Sequence, residues 1–449
     1  MAVVKSEAVD LLVSLIRNEC VNDGTDEGGQ EHRSVATLQS FFGVEGQVFE
    51  PHPGRQSVVF RVPGSGAAPT LALMTHLDVV PANADGWEHD PFGGKRMDGF
   101  IWGRGTVDML NMAAAMATAF RPYLSGELPP LPGDLIYLAT ADEEAGGFLG
   151  AKWILDNHPD AVDCQYLLTE VGYPPIPTSS GLAYPVSVAE KGPYWRRLTA
   201  RGVPGHGSQP YGKENAVIDL GLAIARLAEA PTPVEITSEW RSIVEALGLG
   251  DEAAASLLDP DEIDGAIEAL AAVDPLMARL AHALTHLTVS PNLVEGGIKA
   301  NMIAESGAVE VDIRALPGQD ETTVEDHLRK VLGSDLYDRL EVEPIMDYPA
   351  GSSPTAGPLW EAVGDGFEEV AGTRHRFANL ISGTTDARFF RSKGVVAYGA
   401  AVFDDRIGPG EFGAMFHGHN ERISEDSIGL TCDFLATTIS RFGVHSVEE

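Results

Sequence analysis

Between Val35 and Ser187 short apolar runs alternate with helical stretches, and that rhythm constrains the fold more than any other feature of the chain. Residues 57–62, 70–74, 134–140 and 166–169 have the length and aliphatic content of buried strands. Residues 109–123, rich in Ala and Met, predict a buried helix behind a glycine-rich turn, and 150–157 predict another. Alternation of this kind predicts an α/β unit whose largely parallel central sheet is flanked by helices. In such sheets the chemistry collects at the carboxyl ends of strands.

From Val188 the texture changes. Residues 194–201 read as a strand, 215–230 as an amphipathic helix, 288–293 and 307–315 as strands, 321–331 as a helix and 340–346 as a last strand. The order β-α-β-β-α-β predicts a ferredoxin-like layout. Within it, the acidic, Ala-rich stretch 231–286 reads as an extra helical insertion. After a Pro/Gly/Ser-rich link at 348–358, α/β alternation resumes. The expected organisation is a catalytic domain split into 1–187 and 350–449, interrupted by an inserted domain at 188–349. A length of 449 residues suits two domains rather than one.

Asp plus Glu number 66 against 31 Lys plus Arg, a formal charge of −35. A field of that sign repels phosphate backbones and anionic headgroups, which excludes nucleic acid and membrane surfaces as partners. Cys20, Cys164 and Cys432 are far apart and lack C-x-x-C spacing, so neither a disulfide framework nor a cysteine–zinc site is expected. Residues 1–20 carry Lys5, Glu7, Asp10, Arg17 and Glu19 between apolar positions at helical spacing. That pattern predicts an amphipathic surface helix, not a signal peptide with an uncharged core. No apolar run approaches a membrane span, and a cytoplasmic location is expected.

Five sites carry chemistry. In Thr75-His76-Leu77-Asp78, closing the apolar run 71–74, a strand would turn His76 and Asp78 to one side. A histidine ligand needs its second ring nitrogen held, commonly by a carboxylate. Trp102-Gly103-Arg104-Gly105-Thr106-Val107-Asp108 lacks the third glycine and the lysine of a phosphate loop. Asp108 at a helix entrance reads equally as a cap or as a carboxylate bridging two cations. Asp142-Glu143-Glu144 follows a strand, where one carboxylate could ligate while its neighbour faces a water; a solvated acidic turn is the other reading. Glu170 ends an apolar strand. In His417-Gly418-His419-Asn420-Glu421 either histidine could ligate. Mixed His and carboxylate donors suit zinc, and a shared carboxylate suits a co-catalytic pair.

Taken in order, these sites resemble the co-catalytic zinc hydrolases that include aminoacylase, glutamate carboxypeptidase and succinyl-diaminopimelate desuccinylase. The resemblance runs through His76-Leu77-Asp78-Val79-Val80-Pro81, Trp87 with Asp90-Pro91-Phe92, Gly103-Arg104-Gly105 to Asp108, and Glu143-Glu144. It continues through Glu170, Gly205-His206-Gly207-Ser208, Asp312-Ile313-Arg314, Gly383-Thr384-Thr385-Asp386 and His417-x-x-Asn420-Glu421. It implies a zinc-peptidase-like catalytic domain with two zinc ions per subunit, replaceable by cobalt or manganese. The implied ligands are His76, Asp108, Glu144, Glu170 and His417, with Asp108 bridging and His417 chosen over His419. Asp78 would orient His76, and Glu143 would be the general base. His206 would lie in an inserted domain that dimerises and lends it to the partner's site. Arg314 and Asn301 would grip a substrate carboxylate, and Thr384 and Thr385 would line the same pocket.

The implied reaction is hydrolysis of an amide bond in an N-acyl-amino acid or a short peptide with a free carboxylate, with dipeptidase, carboxypeptidase or desuccinylase activity as the alternatives. A non-catalytic binding protein on the same fold would be expected to have lost ligands, and none is lost. Two features depart from the pattern: Met109-Leu110-Asn111 where many relatives carry Lys-Gly, and the length of 231–286.

Overall fold

Leu71–His76 and Leu135–Thr140 are buried at every position, so each must be covered on both faces. The computed structural model, which describes residues 2–25 and 27–447, shows how. Met1, at the start of the expected N-terminal helix, and residues 448 and 449, at the end of the expected 350–449 segment, lie outside it.

The two strands sit in a mixed central sheet, ten-stranded among the described residues. Its order is Gln47–His52, Arg55–Val62, Leu135–Thr140, Leu71–His76, Tyr166–Thr169, Val396–Gly399, Gly181–Glu190 and Gly351–Ser352, with Arg376–Ile381 and Ile176–Thr178 also paired to Gly181–Glu190. From Leu135–Thr140 to Val396–Gly399 neighbours run parallel, while the Gln47 and Gly351 margins are antiparallel.

Side chains alternate across this sheet, as the two-residue period requires. Leu71, Leu73, Leu135, Tyr137 and Ala139 enter one core with helices Ala2–Arg17, Leu110–Leu124 and Glu425–His445. Ala72, Met74, Ile136, Leu138 and Leu167 enter the opposite core with Ala151, Ile154, Phe389 and Phe390. Each buried Leu or Ile contributes roughly 1.5–3 kcal/mol relative to exposure. The N-terminal helix is amphipathic as expected, with Val9, Leu12, Leu15 and Ile16 at most 1% exposed.

A second, antiparallel sheet has the order Thr288–Gly296, Ser306–Ala315, Gly192–Arg201 and Leu340–Asp347. Helices Ala216–Glu229 and Glu321–Tyr337 pack with it through Leu220, Leu227, Val324, Leu328 and Leu332. The latter runs past the expected 331, changing direction at Gly333 (φ 69°, ψ 154°). Four helices, Ser238–Leu247, Asp251–Leu258, Ile263–Ala271 and Pro275–Thr285, occupy most of 231–286. Ser238–Leu247 packs against the central sheet, and the other three join the core of that sheet rather than that of the second one. Trp240, Ile243, Val244, Ile263, Ala281 and Leu284 belong to the core that contains Leu71, and Ser238–Leu247 lies on Arg376–Ile381. Among the described residues no helix is long and apolar enough to cross a membrane.

Candidate metal centre

Parallel strands end at one edge of the central sheet, and the side chains just past those ends converge. His76 closes Leu71–His76, Glu143 and Glu144 follow Leu135–Thr140, and Glu170 follows Tyr166–Thr169. Asp108 enters from the loop before helix Leu110–Leu124, across a cis Asp108–Met109 peptide. His417 follows helix Pro409–Met415.

Asp108 is shared: Oδ1 lies 3.2 Å from His76 Nε2, and Oδ2 lies 3.3 Å from His417 Nε2. His417 Nε2 is also 3.2 Å from Glu144 Oε2, and His76 Nε2 is 3.8 Å from Glu170 Oε2 and 4.0 Å from Glu143 Oε2. Two triads have donor atoms mutually within 4.8 Å: His76, Glu143 and Glu170, and His76, Asp108 and Glu144. His76 is 2% exposed, whereas the His417 side chain is 56% exposed, so the cluster has a closed wall and an open mouth.

Crowding shows in the protonation of the groups. Burial and the Glu170 carboxylate push Glu143 well above the usual carboxylate range. Burial, then the Asp108 carboxylate, pushes Glu144 up to about 7. Burial likewise lifts Glu170 to about 7 against its hydrogen bond with His76. Asp108 resists its own burial because His417 and His76 hold it below its ordinary value. Hydrogen bonding to Asp108 and Glu144 raises His417 to about 10. Carboxylates packed this closely need added positive charge, which protons or multivalent cations can supply. Two imidazoles and four carboxylates form a donor set suited to divalent ions. Glu144 Oε1 is also buried with no hydrogen-bond partner among the described residues. The residues present therefore fit a divalent metal.

Supporting groups fix these donors. Asp78 Oδ1 accepts from the Glu143 amide at 3.2 Å, and Oδ2 accepts from the Glu144 amide at 3.1 Å and from Asn22 Nδ2 at 2.8 Å. The Asp78 contact nearest to His76 Nδ1 is its backbone carbonyl at 2.9 Å, while its carboxylate stands 3.7 Å away. Asp78 thus meets His76 through its main chain and the Glu143–Glu144 turn through its side chain. Behind that turn, Arg55 bridges Glu31 and Asp142, each at 2.9 Å, and all three are at most 4% exposed. Asn22, Glu31 and Arg55 escaped the sequence reading, because they lie in unremarkable contexts far from the motifs they support. Glu421 accepts from the amides of Val107 at 2.6 Å and Asp108 at 3.2 Å and pairs with Arg104 at 2.8 Å, which sets the Asp108 loop.

The other expected site residues lie apart from this cluster. His206 is exposed on the short strand Gly205–His206, and its Nδ1 accepts from Ser208 N at 3.2 Å. Asn301 sits beside it, its carbonyl accepting from Gly207 N at 2.8 Å. Arg314, half-buried on the second sheet, is bound by Asp312 through Nε at 3.0 Å and Nη2 at 3.1 Å. Among the described residues, none of the three has a hydrogen bond or ion pair with the cluster. Thr385 turns inward, donating from N and Oγ1 to Glu190 Oε2 at 2.6 and 3.0 Å, and Thr384 Oγ1 donates to Lys191 O at 3.4 Å.

The sequence matches the profile of peptidase family M20/M25/M40 over residues 72–441. It is 28% identical over 425 residues to the Homo sapiens protein named N-fatty-acyl-amino acid synthase/hydrolase PM20D1, covering 90% of this chain and 80% of that one. It is 26% identical over 392 residues to Sus scrofa aminoacylase-1, covering 85% and 82%. Among solved structures, an M20 family metallo-carboxypeptidase from Sulfolobus solfataricus superposes with a TM-score of 0.73 at 18% identity, covering 98% of this chain and 99% of that chain. The profile spans the strands that carry His76, Glu143 and Glu170, the whole second sheet and the segment of His417, and the chain accordingly belongs to peptidase family M20/M25/M40, the metallohydrolases.

Proposed function

We propose that this enzyme hydrolyses the amide bond of N-acyl-amino acids or of short peptides with a free carboxylate. The sharing of Asp108 between His76 and His417, with the Glu143 carboxylate at the same edge, carries the reading. His76, Asp108, Glu144, Glu170 and His417 would hold two zinc ions, replaceable by cobalt or manganese. Zinc bound there supplies a Lewis acid for the scissile carbonyl and lowers the pKa of an attached water.

The remaining steps belong to the chain's own groups. Glu143 Oε2 takes the proton of the attacking water and delivers it to the departing nitrogen, a role its raised proton affinity suits. Arg314 and Asn301 grip the substrate carboxylate, and the loop carrying Thr384 and Thr385 forms a wall of the same pocket. His206, which has no link to its own cluster, donates to the developing oxyanion of a second copy of the chain. We infer a catalytic domain formed by 1–187 and 350–449 and a ferredoxin-like inserted domain at 188–349, the latter being the dimer surface. The edge strand Thr288–Gly296 supports this, with Leu293 50% and Val294 55% exposed. The names of the two sequence relatives, an aminoacylase and an N-fatty-acyl-amino acid hydrolase, favour a deacylase over a dipeptidase.

A panel of N-acetyl, N-succinyl and long-chain N-acyl amino acids and dipeptides, assayed with added zinc or cobalt, tests the reading. Hydrolysis is expected for the N-acyl amino acids. Glu143→Ala is expected to lower kcat by at least about 100-fold while bound zinc is retained. Turnover surviving in that variant removes Glu143 from its role.

A further inference from the structure

Strand Gly181–Glu190 of the central sheet passes into strand Gly192–Arg201 of the second sheet with Lys191 alone between them. Glu190 and Lys191 are each 0% exposed and opposite in charge, yet they face different ways, as neighbours on an extended chain must. Glu190 Oε2 accepts from Thr385 N and Oγ1 at 2.6 and 3.0 Å, and Oε1 pairs with Arg391. Lys191 Nζ donates to Ala283 O at 2.9 Å, His286 O at 2.8 Å and Thr288 Oγ1 at 3.1 Å. An ammonium has three donors, so these oxygens use all of them and leave none for a ligand. Burial pulls the Lys191 ammonium down to about 7 from its ordinary value, and these three acceptors make the group a structural device.

Its acceptors lie where the helices of 231–286 return to the second sheet. Thr288 opens the edge strand and is the cross-strand partner of Arg314. The other connections between the sheets meet nearby. Val234 bridges His286, Leu287 N donates to Pro233 O at 2.9 Å, Tyr348 N donates to Pro193 O at 3.0 Å, and Gly351 pairs with Glu190.

We propose that Glu190 and Lys191 form a two-sided clamp that sets loop 383–386 against Arg314, making Lys191 a positioning residue for the substrate carboxylate. The clamp rests on the carboxylate-gripping role given above to Arg314. Glu190 holds the loop, Lys191 holds the strand beside Arg314, and one peptide bond joins the two jaws.

Calorimetric titration with N-acetyl-L-leucine and N-acetyl-L-leucinamide, in the presence of zinc and in the Glu143→Ala background so that binding is read without turnover, tests the clamp on the otherwise wild-type chain, K191M, K191R and R314A. K191M is expected to weaken carboxylate binding about tenfold, leave amide binding unchanged and retain zinc, with K191R recovering most of the loss. R314A should show the same selectivity. Wild-type binding by R314A overturns the role of Arg314, and the clamp with it. Selective loss in R314A without loss in K191M overturns the clamp alone, as does equal weakening of both ligands in K191M. Should K191M fail to fold, T288V, which removes one of the three acceptors, is read by the same criteria.

Discussion

Glu421 has no exposed surface, and the amides of Gly105, Val107 and Asp108 together with the Arg104 guanidinium converge on its two oxygens. Removing that carboxylate leaves Arg104, 3% exposed, as a buried charge without its partner. Glu421→Ala is expected to cost about 3–5 kcal/mol in urea denaturation and to weaken metal retention by loosening the Asp108 loop. At this scale the positions of the motif residues past the ends of apolar strands were legible, while the choice among cap, solvated turn and ligand came from the resemblance rather than from the residues. Glu31, Arg55 and Asn22 were not legible. A charge that pairs across the interior leaves no local pattern, and only the folded chain brings Arg55 to Asp142. The backbone carbonyl that fixes His76 was equally hidden, since sequence speaks of side chains.

Among elements, four strands of the central sheet were readable from their unbroken apolar runs, with ends that differ little from expectation. Gly181–Glu190, Arg376–Ile381 and Val396–Gly399 were not, being interrupted by Gly, Pro, Ser or Asn or lying within the undivided alternation after 358. The helices of 231–286 were readable as helices but not as packing partners. Apolar spacing gives a helix its buried face without saying which surface covers it. Trp240 shows the outcome: 4% exposed, with Nε1 donating to Leu257 O at 2.7 Å, it lies in the core shared with the catalytic sheet. Trp240→Ala is expected to cost about 3–5 kcal/mol. Because that core is shared, calorimetry should show the loss in the transition of the central sheet rather than as a separate early melting of the insertion. Gly333 marks another limit. Its left-handed, non-helical backbone ends one helix a residue past the expected 331 and starts another, and the residues after it carry an ordinary helical pattern.

For the whole molecule, the separation of the metal-centre cluster from Arg314, Asn301 and His206 is the governing feature. The cluster gathers at the edge of the central sheet, while Arg314 lies on the second sheet and His206 on a separate two-stranded sheet, Gly205–His206 with Met302–Ile303, beside Asn301. If a second copy completes the site, disrupting the Thr288–Gly296 edge must affect turnover without touching the cluster. Val294→Asp is expected to sediment as a monomer at concentrations where the wild type is a dimer. It should lose about 100-fold or more in kcat, the loss typical of an oxyanion donor, and keep its bound metal. A fully active monomer would refute the shared site.

The insertion also limits how this protein can be re-engineered. Residues 238–285 are spliced into the chain of one sheet yet wall the other. Deleting 188–349 to obtain a minimal hydrolytic scaffold would therefore strip a hydrophobic flank from the very half being kept. A viable truncation must retain these helices, rejoined across the gap by new linkers, and a chimera that swaps 188–349 wholesale would inherit the donor's flank along with its second sheet.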